Sequence, residues 1–153
     1  MIQVSEININ SPFLDQKPGT SGLRKSTLKF QEENYLEVFI EAILQSLGDL
    51  KGSTLVVGGD GRYGNIEAIE KIVQICIAHK VQKVIVPKDG LLSTPATSHL
   101  IRKENAIGGI ILSASHNPGG IDGDFGVKLN ISCLLYTSPS PRDLSTSRMP
   151  SSA

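Results

Sequence analysis

Residues 114–120 are the part of the chain best suited to chemistry, and they contain a serine. This part follows the apolar run 110–112, and its serine lies between two pairs of glycines. An apolar strand that leads into a turn-rich loop presents side chains at the edge of a sheet, where α/β proteins place reactive groups. Ser115 is therefore the candidate nucleophile. His116 follows it directly, but neighbours in an extended loop point apart, so the pair does not indicate a serine hydrolase.

A second segment, residues 20–25, combines two hydroxyl groups, a glycine and two cationic side chains. Arg24 can bind phosphate through paired hydrogen bonds and Lys25 adds a point charge, so the segment suits an anion-binding loop. Lys128 is a third candidate cation. Taken alone, the loop has an ordinary interpretation as a solvated turn, and Lys128 as a strand residue on the surface.

A glycine motif of the form G-x-G-x-x-G covers residues 59–64, after a predicted strand and before a predicted helix. With Asp89 as a ribose-binding acid, this pattern would fit a dinucleotide site. Asp60, however, places a negative charge inside the turn that a pyrophosphate would have to approach. The other interpretation is a tight turn in which Asp60 and Arg62 make local polar contacts.

Composition and charge exclude several classes of protein. Hydrophobic residues make up 39% of the chain, and the 15 basic residues balance the 15 acidic ones, which argues against non-specific binding of nucleic acid or anionic membranes. No apolar run approaches the roughly 20 residues of a membrane span, and no signal peptide is evident at the N-terminus. We therefore expect a cytoplasmic protein with no nucleic-acid or membrane partner.

The cysteines and two of the histidines do not form a recognisable metal or redox motif. Cys76 and Cys133 are isolated, and Cys76 lies between isoleucines, which predicts a small buried hydrophobic residue. His79 and His99 lack the spacing of metal ligands. We expect both on helix surfaces.

The hydrophobic pattern alternates between strands and helices. Apolar residues spaced by three and four predict helices at 33–47 and 66–79, and a proline in the first turn predicts a third at 95–105. Short apolar runs predict strands at 55–58, 83–86, 109–112 and 125–131, and 26–30 could be another. The predicted fold is an α/β layered domain with a mixed, mostly parallel sheet flanked by helices. We assign this domain to residues 1–132.

The pattern ends after residue 131. Residues 133–153 are rich in serine, proline and threonine and show no period, which predicts disorder. They also resemble translated adapter or vector sequence, so we expect a tail that is not native to the protein.

Several segments together resemble the α-D-phosphohexomutase superfamily, and within it the glucose-specific phosphoglucomutases. The matching segments are residues 17–25, 57–62, 92–96, 108–120 and 123–126. Each is modest evidence alone, but their order along the chain is specific. The glycine motif belongs to this set, which disfavours the dinucleotide interpretation.

The resemblance implies that Ser115 carries a phosphoryl group. It would donate this group to glucose 1-phosphate or glucose 6-phosphate and recover the other phosphate from a bisphosphate intermediate. Arg24 and Lys128 would then stabilise charge or transfer a proton, and we prefer Lys128 for the proton because the pKa of arginine is above 12. His116 and Asn117 would shape the phosphoserine loop, and Thr20 and Ser21 would line the cleft.

The resemblance also implies cofactors that this chain would hold only in part. Mg²⁺ would bind an oxygen of the Ser115 phosphate and three aspartates of a second domain, and glucose 1,6-bisphosphate would act as the activating primer. We find neither those aspartates nor the sugar-specificity loop in this sequence. We therefore expect a truncated catalytic-serine domain that is inactive alone, from an enzyme of carbohydrate metabolism that is monomeric and acts on hexose phosphates. The alternatives are a non-catalytic relative that binds sugar phosphate or a partner, and a dinucleotide-binding domain.

Overall fold

A five-stranded β-sheet with helices on both faces forms the frame of the protein. The computed structural model describes residues 4–131. The strands are β1 (Leu23–Ser26), β2 (Thr54–Gly59), β3 (Lys83–Ile85), β4 (Gly108–Leu112) and β5 (Asp124–Ile131), and the helices are α1 (Thr27–Phe30), α2 (Tyr35–Ser46), α3 (Asn65–Ala78) and α4 (Thr94–Lys103). A 3₁₀ turn, Lys88–Gly90, precedes α4. The predicted tail and Cys133 lie outside the described residues.

The sheet is mixed, with the strand order β1-β5-β4-β2-β3. β2 is parallel to both β3 and β4, whereas β5 is antiparallel to both β4 and β1. Four of the five strands therefore run in one direction, and β5 runs against them. This arrangement confirms the predicted fold class, a mixed and mostly parallel sheet flanked by helices.

Alternating residues of the central strands face two different helical layers. Leu55 and Val57 in β2 pack in the larger cluster with α2 and α3, whereas Val56 packs on the opposite face with α4. Residues 55–59 and 108–112 are buried throughout, as expected for strands covered on both faces. Cys76 is part of the larger cluster, which confirms the predicted small buried residue, and burial raises the pKa of its thiol to about 11.

The register of β2 and β4 places two loops side by side. Gly59 is paired with Leu112, so both strands end at the same edge of the sheet. The next residues, Asp60 and Ser113, begin the two loops that leave this edge. The turn after β2 and the loop after β4 are some fifty residues apart in the sequence, yet they meet in the fold.

The three predicted helices and four of the strands lie close to their expected bounds, but the possible strand at 26–30 was wrong for residues 27–30. The strand ends at Ser26, and residues Thr27–Phe30 form α1. The Ser26 side chain accepts a hydrogen bond from the Lys29 amide (3.3 Å), which is typical of a residue that caps a helix N-terminus.

Helix α4 packs directly on the sheet because Gly109 of β4, which faces it, has no side chain. A methyl group added at Gly109 would lie 2.6 Å from the Cγ2 atom of Thr97 and 3.1 Å from the Cδ1 atom of Ile101. Thr97 is a branched side chain whose hydroxyl is already fixed by a hydrogen bond to the Ser93 carbonyl (2.9 Å). The helix would therefore have to move to accept a larger residue.

We predict that Gly109→Ala lowers the free energy of unfolding by about 1–3 kcal/mol, because the added methyl overpacks the contact between α4 and β4. The measurement is urea denaturation followed by circular dichroism. Gly19→Ala is the matched control, because nothing lies within 4 Å of a methyl group added there. Equal effects of the two substitutions would contradict the close approach of α4.

Candidate active site

The loop between β4 and β5 carries Ser115 at the carboxyl-terminal edge of the parallel strands. Ser115 is exposed, and its backbone has a φ of +60°. This left-handed conformation costs a non-glycine residue about 1–2 kcal/mol, so neighbouring groups must hold it in place. The predicted nucleophile is therefore a strained residue on an exposed loop.

Asp60 fastens the start of this loop through the side chain of Ser113. The Ser113 hydroxyl donates to the Asp60 carboxylate (2.8 Å) and accepts from the backbone N–H of Ser115 (3.0 Å). Asp60 in turn donates its backbone N–H to the carbonyl of Leu112 (3.0 Å). The serine loop is thus tied to the turn that follows β2.

Arg62 fastens the same loop from the other side. Its guanidinium is paired with Asp60 (Nη2 to Oδ2, 2.7 Å; Nε to Oδ1, 2.9 Å) and only 7% of its side chain is exposed. It also donates to the carbonyl of Ser115 (3.2 Å) and to the carbonyl of Asp124 (2.6 Å). One side chain therefore bridges the turn after β2, the serine and the start of β5.

Asn117 closes the loop onto β5. Its side-chain amide donates to the carboxylate of Asp124 (2.8 Å), and the backbone N–H of Asp124 donates to the carbonyl of Pro118 (2.8 Å). The backbone N–H of Asn117 donates to the carbonyl of Ala114 (3.2 Å), across the turn that contains Ser115. The predicted shaping role of Asn117 thus has a geometric basis, whereas His116 is exposed beside Ser115.

The two predicted cations lie on adjacent strands. Arg24 in β1 is paired with Gly126 in β5, two residues before Lys128. Gly22 brings the two strands into close contact, because a Cβ atom there would lie 2.9 Å from the Cγ atom of Lys128. The Nε of Arg24 is buried and has no hydrogen-bond partner among the described residues, so the guanidinium retains binding capacity.

The surroundings of Lys128 and Asp60 lower the pKa of both groups, which favours a neutral lysine and a charged carboxylate. Burial lowers the pKa of Lys128 below its ordinary value of 10.5, and the nearby charge of Arg24 lowers it further, while Asp60 partly offsets both. Burial alone would raise the pKa of Asp60, but hydrogen bonds from Arg62 and Ser113 outweigh it and hold that pKa below 3.8. Asp60 is therefore an anion at neutral pH, and Lys128 loses its proton more readily than an ordinary lysine.

Thr20 and Ser21 form the tip of a tight hairpin. Gly19 and Gly22 exchange two backbone hydrogen bonds (3.0 and 3.1 Å) on either side of them, and both residues are exposed. The base of this hairpin leads into β1, which places Arg24. The predicted anion-binding segment therefore runs from this hairpin into β1, which is paired with β5, the strand that carries Lys128.

The segment before this hairpin is anchored on a buried tyrosine. The hydroxyl of Tyr35 donates to the carboxylate of Asp15 (3.0 Å), and the side chain of Gln16 donates to the carbonyl of Tyr35 (2.7 Å). The ring of Phe13 packs edge-on against that of Tyr35 at 5.0 Å. These contacts fix the approach of the chain to β1.

The glycine motif at 59–64 forms the turn between β2 and α3, and its charged residues pair with each other, as the alternative to a dinucleotide site predicted. A cavity of about 260 Å³ lies beside this turn. Its charged lining consists of Glu67 and Asp89 together with the already paired Arg62. Such a lining does not suit a pyrophosphate.

The sequence analysis missed the wider role of this turn. The sequence pattern predicts only local contacts for Asp60 and Arg62, and it assigns no role to Ser113 or Asp124. The available signal was the position of Asp60 directly after a buried parallel strand, where side chains meet those of the neighbouring strand.

Two further properties concern the described residues alone. Across residues 4–131, no three His, Cys, Asp or Glu side chains converge in a way that could hold a metal ion. No helix in this range combines the length and apolar character that crossing a bilayer demands.

Comparison with known proteins places this geometry in a family. The family model for phosphoglucomutase/phosphomannomutase, alpha/beta/alpha domain I, matches residues 15–135. The chain is 57% identical over 134 residues to a phosphoglucomutase of Emericella nidulans and 56% identical over 121 residues to a phosphoglucomutase of Rhizobium radiobacter. These matches cover 87% and 79% of this chain but 24% and 22% of the relatives. The chain thus spans about a quarter of their length.

Solved structures agree with the sequence matches. The chain is similar to the open form of the exocytosis-sensitive phosphoprotein pp63/parafusin, a phosphoglucomutase from Paramecium, with a TM-score of 0.78 and 48% identity over 82% of this chain and 24% of that one. A putative phosphomannomutase from Thermus thermophilus gives a TM-score of 0.64 and 28% identity over 74% of this chain and 25% of that one. The chain belongs to the phosphoglucomutase/phosphomannomutase family, and the part of that family's architecture that it contains is the α/β/α domain I.

Proposed function

We propose that this chain is the phosphoryl-carrying domain of a phosphoglucomutase, which interconverts glucose 1-phosphate and glucose 6-phosphate. The observation that carries the proposal is the position of Ser115. Ser115 is exposed on a hydrogen-bonded loop at the edge of the sheet, and the neighbouring strands β1 and β5 supply Arg24 and Lys128. The identity to curated phosphoglucomutases supports glucose phosphates as the substrates.

The proposed reaction is a pair of phosphoryl transfers. A hydroxyl oxygen of the sugar phosphate attacks the phosphorus on Ser115, the bond between phosphorus and the serine oxygen breaks, and a hexose bisphosphate forms. The bisphosphate then turns over and returns its other phosphate to Ser115. Glucose 1,6-bisphosphate would prime the serine, and the overall reaction is an isomerisation.

Arg24 and Lys128 have different tasks in this proposal. The guanidinium of Arg24 remains protonated and neutralises charge on the transferring group. Lys128 takes the proton of the attacking hydroxyl, because its partly buried amine beside Arg24 has a lowered pKa. Thr20, Ser21, His116 and Asn117 would border the bound sugar phosphate.

The described residues do not form a site for Mg²⁺ by themselves, since no acidic cluster is present among them. An oxygen of the Ser115 phosphate is the one ligand that this domain would contribute. When bound, the ion would supply charge neutralisation at that phosphate. The steps above rest on the side chains of this domain.

The wider assignments follow from the same proposal. The substrates are small hexose phosphates, and the setting is glucose metabolism in the cytoplasm. We propose a monomeric parent enzyme, with neither nucleic acid nor membrane as a partner. The chain alone is expected to be inactive with glucose 1-phosphate, Mg²⁺ and glucose 1,6-bisphosphate.

The serine is tested in a hybrid enzyme, in which residues 4–131 of this chain replace the matching residues of the Emericella nidulans phosphoglucomutase. We predict that the hybrid is active and that Ser115→Ala lowers kcat by at least about a thousandfold, because the phosphoryl carrier is lost. The assay couples glucose 6-phosphate formation to its oxidation, and intact mass reports one phosphoryl group on the serine. Ser11→Ala, at an exposed serine outside the site, is the matched control. An active Ser115→Ala hybrid would overturn the proposed function.

Lys128 is tested by the pH dependence of the same hybrid. A base must be neutral to accept a proton, so kcat should rise with pH through a pKa below 10.5. Lys128→Arg keeps the cation but does not titrate in this range, so we predict that the rising limb disappears. We also expect kcat to fall by about 10²–10⁴ while KM for glucose 1-phosphate stays within about threefold. An unchanged pH profile would assign the proton transfer to another group.

A further inference from the structure

We propose that Arg62 is a positioning residue for phosphoryl transfer, which holds Ser115 in the backbone conformation that presents its hydroxyl. The inference rests on the proposed function and deepens it by assigning a task to a side chain outside the predicted site. It begins from the φ of +60° at Ser115. A conformation that the residue itself disfavours persists only where its surroundings determine it.

The backbone N–H and carbonyl of Ser115 both make hydrogen bonds, and the partners of both are bound to the same carboxylate. Its N–H donates to the Ser113 hydroxyl (3.0 Å) and its carbonyl accepts from Arg62 (3.2 Å). Ser113 and Arg62 are each bound to Asp60, at 2.8 and 2.7 Å. The backbone of Ser115 is therefore fixed from two sides by a single charged cluster.

Arg62 also determines where the loop ends. Its Nη1 donates to the carbonyl of Asp124 (2.6 Å), the first residue of β5, while the carboxylate of Asp124 holds Asn117 (2.8 Å). The loop is thereby held at the serine and at its far end by the same guanidinium. A shift of Arg62 would move Ser115 relative to β5, the strand that carries Lys128.

The contacts of Arg62 distinguish it from a residue that binds phosphate. Four of its five N–H donors are engaged, by Asp60 and by the carbonyls of Ser115 and Asp124. Its side chain is 7% exposed. Arg24, by contrast, has an Nε without a partner among the described residues. Arg62 therefore acts through Ser115 and not by touching the substrate.

Lysine should not replace Arg62. An ammonium group is a compact point charge on a flexible stem, whereas the planar guanidinium reaches a carboxylate and two carbonyls in fixed directions. Arg62→Lys keeps the charge beside Asp60 and removes the fork. It therefore separates the geometric task of Arg62 from its electrostatic one.

The first experiment is nuclear magnetic resonance spectroscopy of the 153-residue chain. We expect Arg62→Lys to accelerate hydrogen exchange of the Ser115 amide by at least about tenfold and to change the coupling between its amide and α protons, while amides of β2 and β4 exchange within about twofold of the original rate. Arg102→Lys, at an exposed arginine of α4, is the matched control and should change neither signal. An unchanged Ser115 in the Arg62→Lys chain would overturn the proposal.

A second variant keeps the test decisive if Arg62→Lys does not fold. Asp60→Asn retains the shape of the side chain but removes the charge that holds both Ser113 and Arg62. We expect the same two changes at Ser115, with β2 and β4 again unaffected. A Ser115 signal that is unchanged by Asp60→Asn would contradict the shared anchor.

The second experiment measures kinetics in the hybrid enzyme. A positioning role predicts that Arg62→Lys lowers kcat by about a hundredfold and leaves KM for glucose 1-phosphate within about threefold. A rise in KM with unchanged kcat would instead make Arg62 a substrate ligand and overturn the inference. The two proposals fail separately: activity in Ser115→Ala refutes the function, whereas normal kcat and normal Ser115 signals in Arg62→Lys refute only the role of Arg62.

Discussion

The carboxylate of Asp60 is the group on which the arrangement of the serine loop depends. It is partly removed from water, which is costly for an anion unless hydrogen bonds and an opposite charge compensate. Arg62 and Ser113 supply that compensation, and both extend it to Ser115. Each member of the cluster is a hydrogen-bond partner of another, so the loss of Asp60 would leave the largely buried Arg62 guanidinium without its counter-charge. A single charge at the end of β2 thereby orders a loop that follows β4.

The fold brings these groups together through strand order. Since β2 and β4 are parallel neighbours, the residues that follow Gly59 and Leu112 leave the sheet at one edge. The antiparallel pair β1 and β5 adds Arg24 and Lys128 from two other parts of the chain. A rigid sheet thus brings four segments together, and the candidate site residues lie on these loops and strands. The same sheet explains why the site tolerates a strained serine, because both flanks of its loop are fixed to buried strands.

Local patterns predicted most of this fold and only part of this site. The helical spacing of apolar residues in α2 and α3 and the apolar runs of β2 and β4 can be recognised in short stretches of sequence. Within each stretch, the pattern itself shows which residues are buried. The turn from β1 into α1 was misread at residues 27–30, because β1 is four residues long and its partner β5 lies about a hundred residues away. The ordered motifs single out Ser115 as the candidate, but they do not show the network around it. Arg62 meets Ser115 and Asp124 across 53 and 62 residues, and no local period encodes such a contact.

The direction of β5 sets where this strand ends relative to Ser115. Ile131 is paired with Gly108, at the start of β4, whereas Ser115 lies beyond its end. Eight strand residues separate the two edges by about 25 Å. Ile131 therefore lies at the opposite edge of the sheet from the serine. In the proposed enzyme, any group that followed β5 would have to return across the whole height of the sheet to reach Ser115, so proximity along the chain would not bring it there.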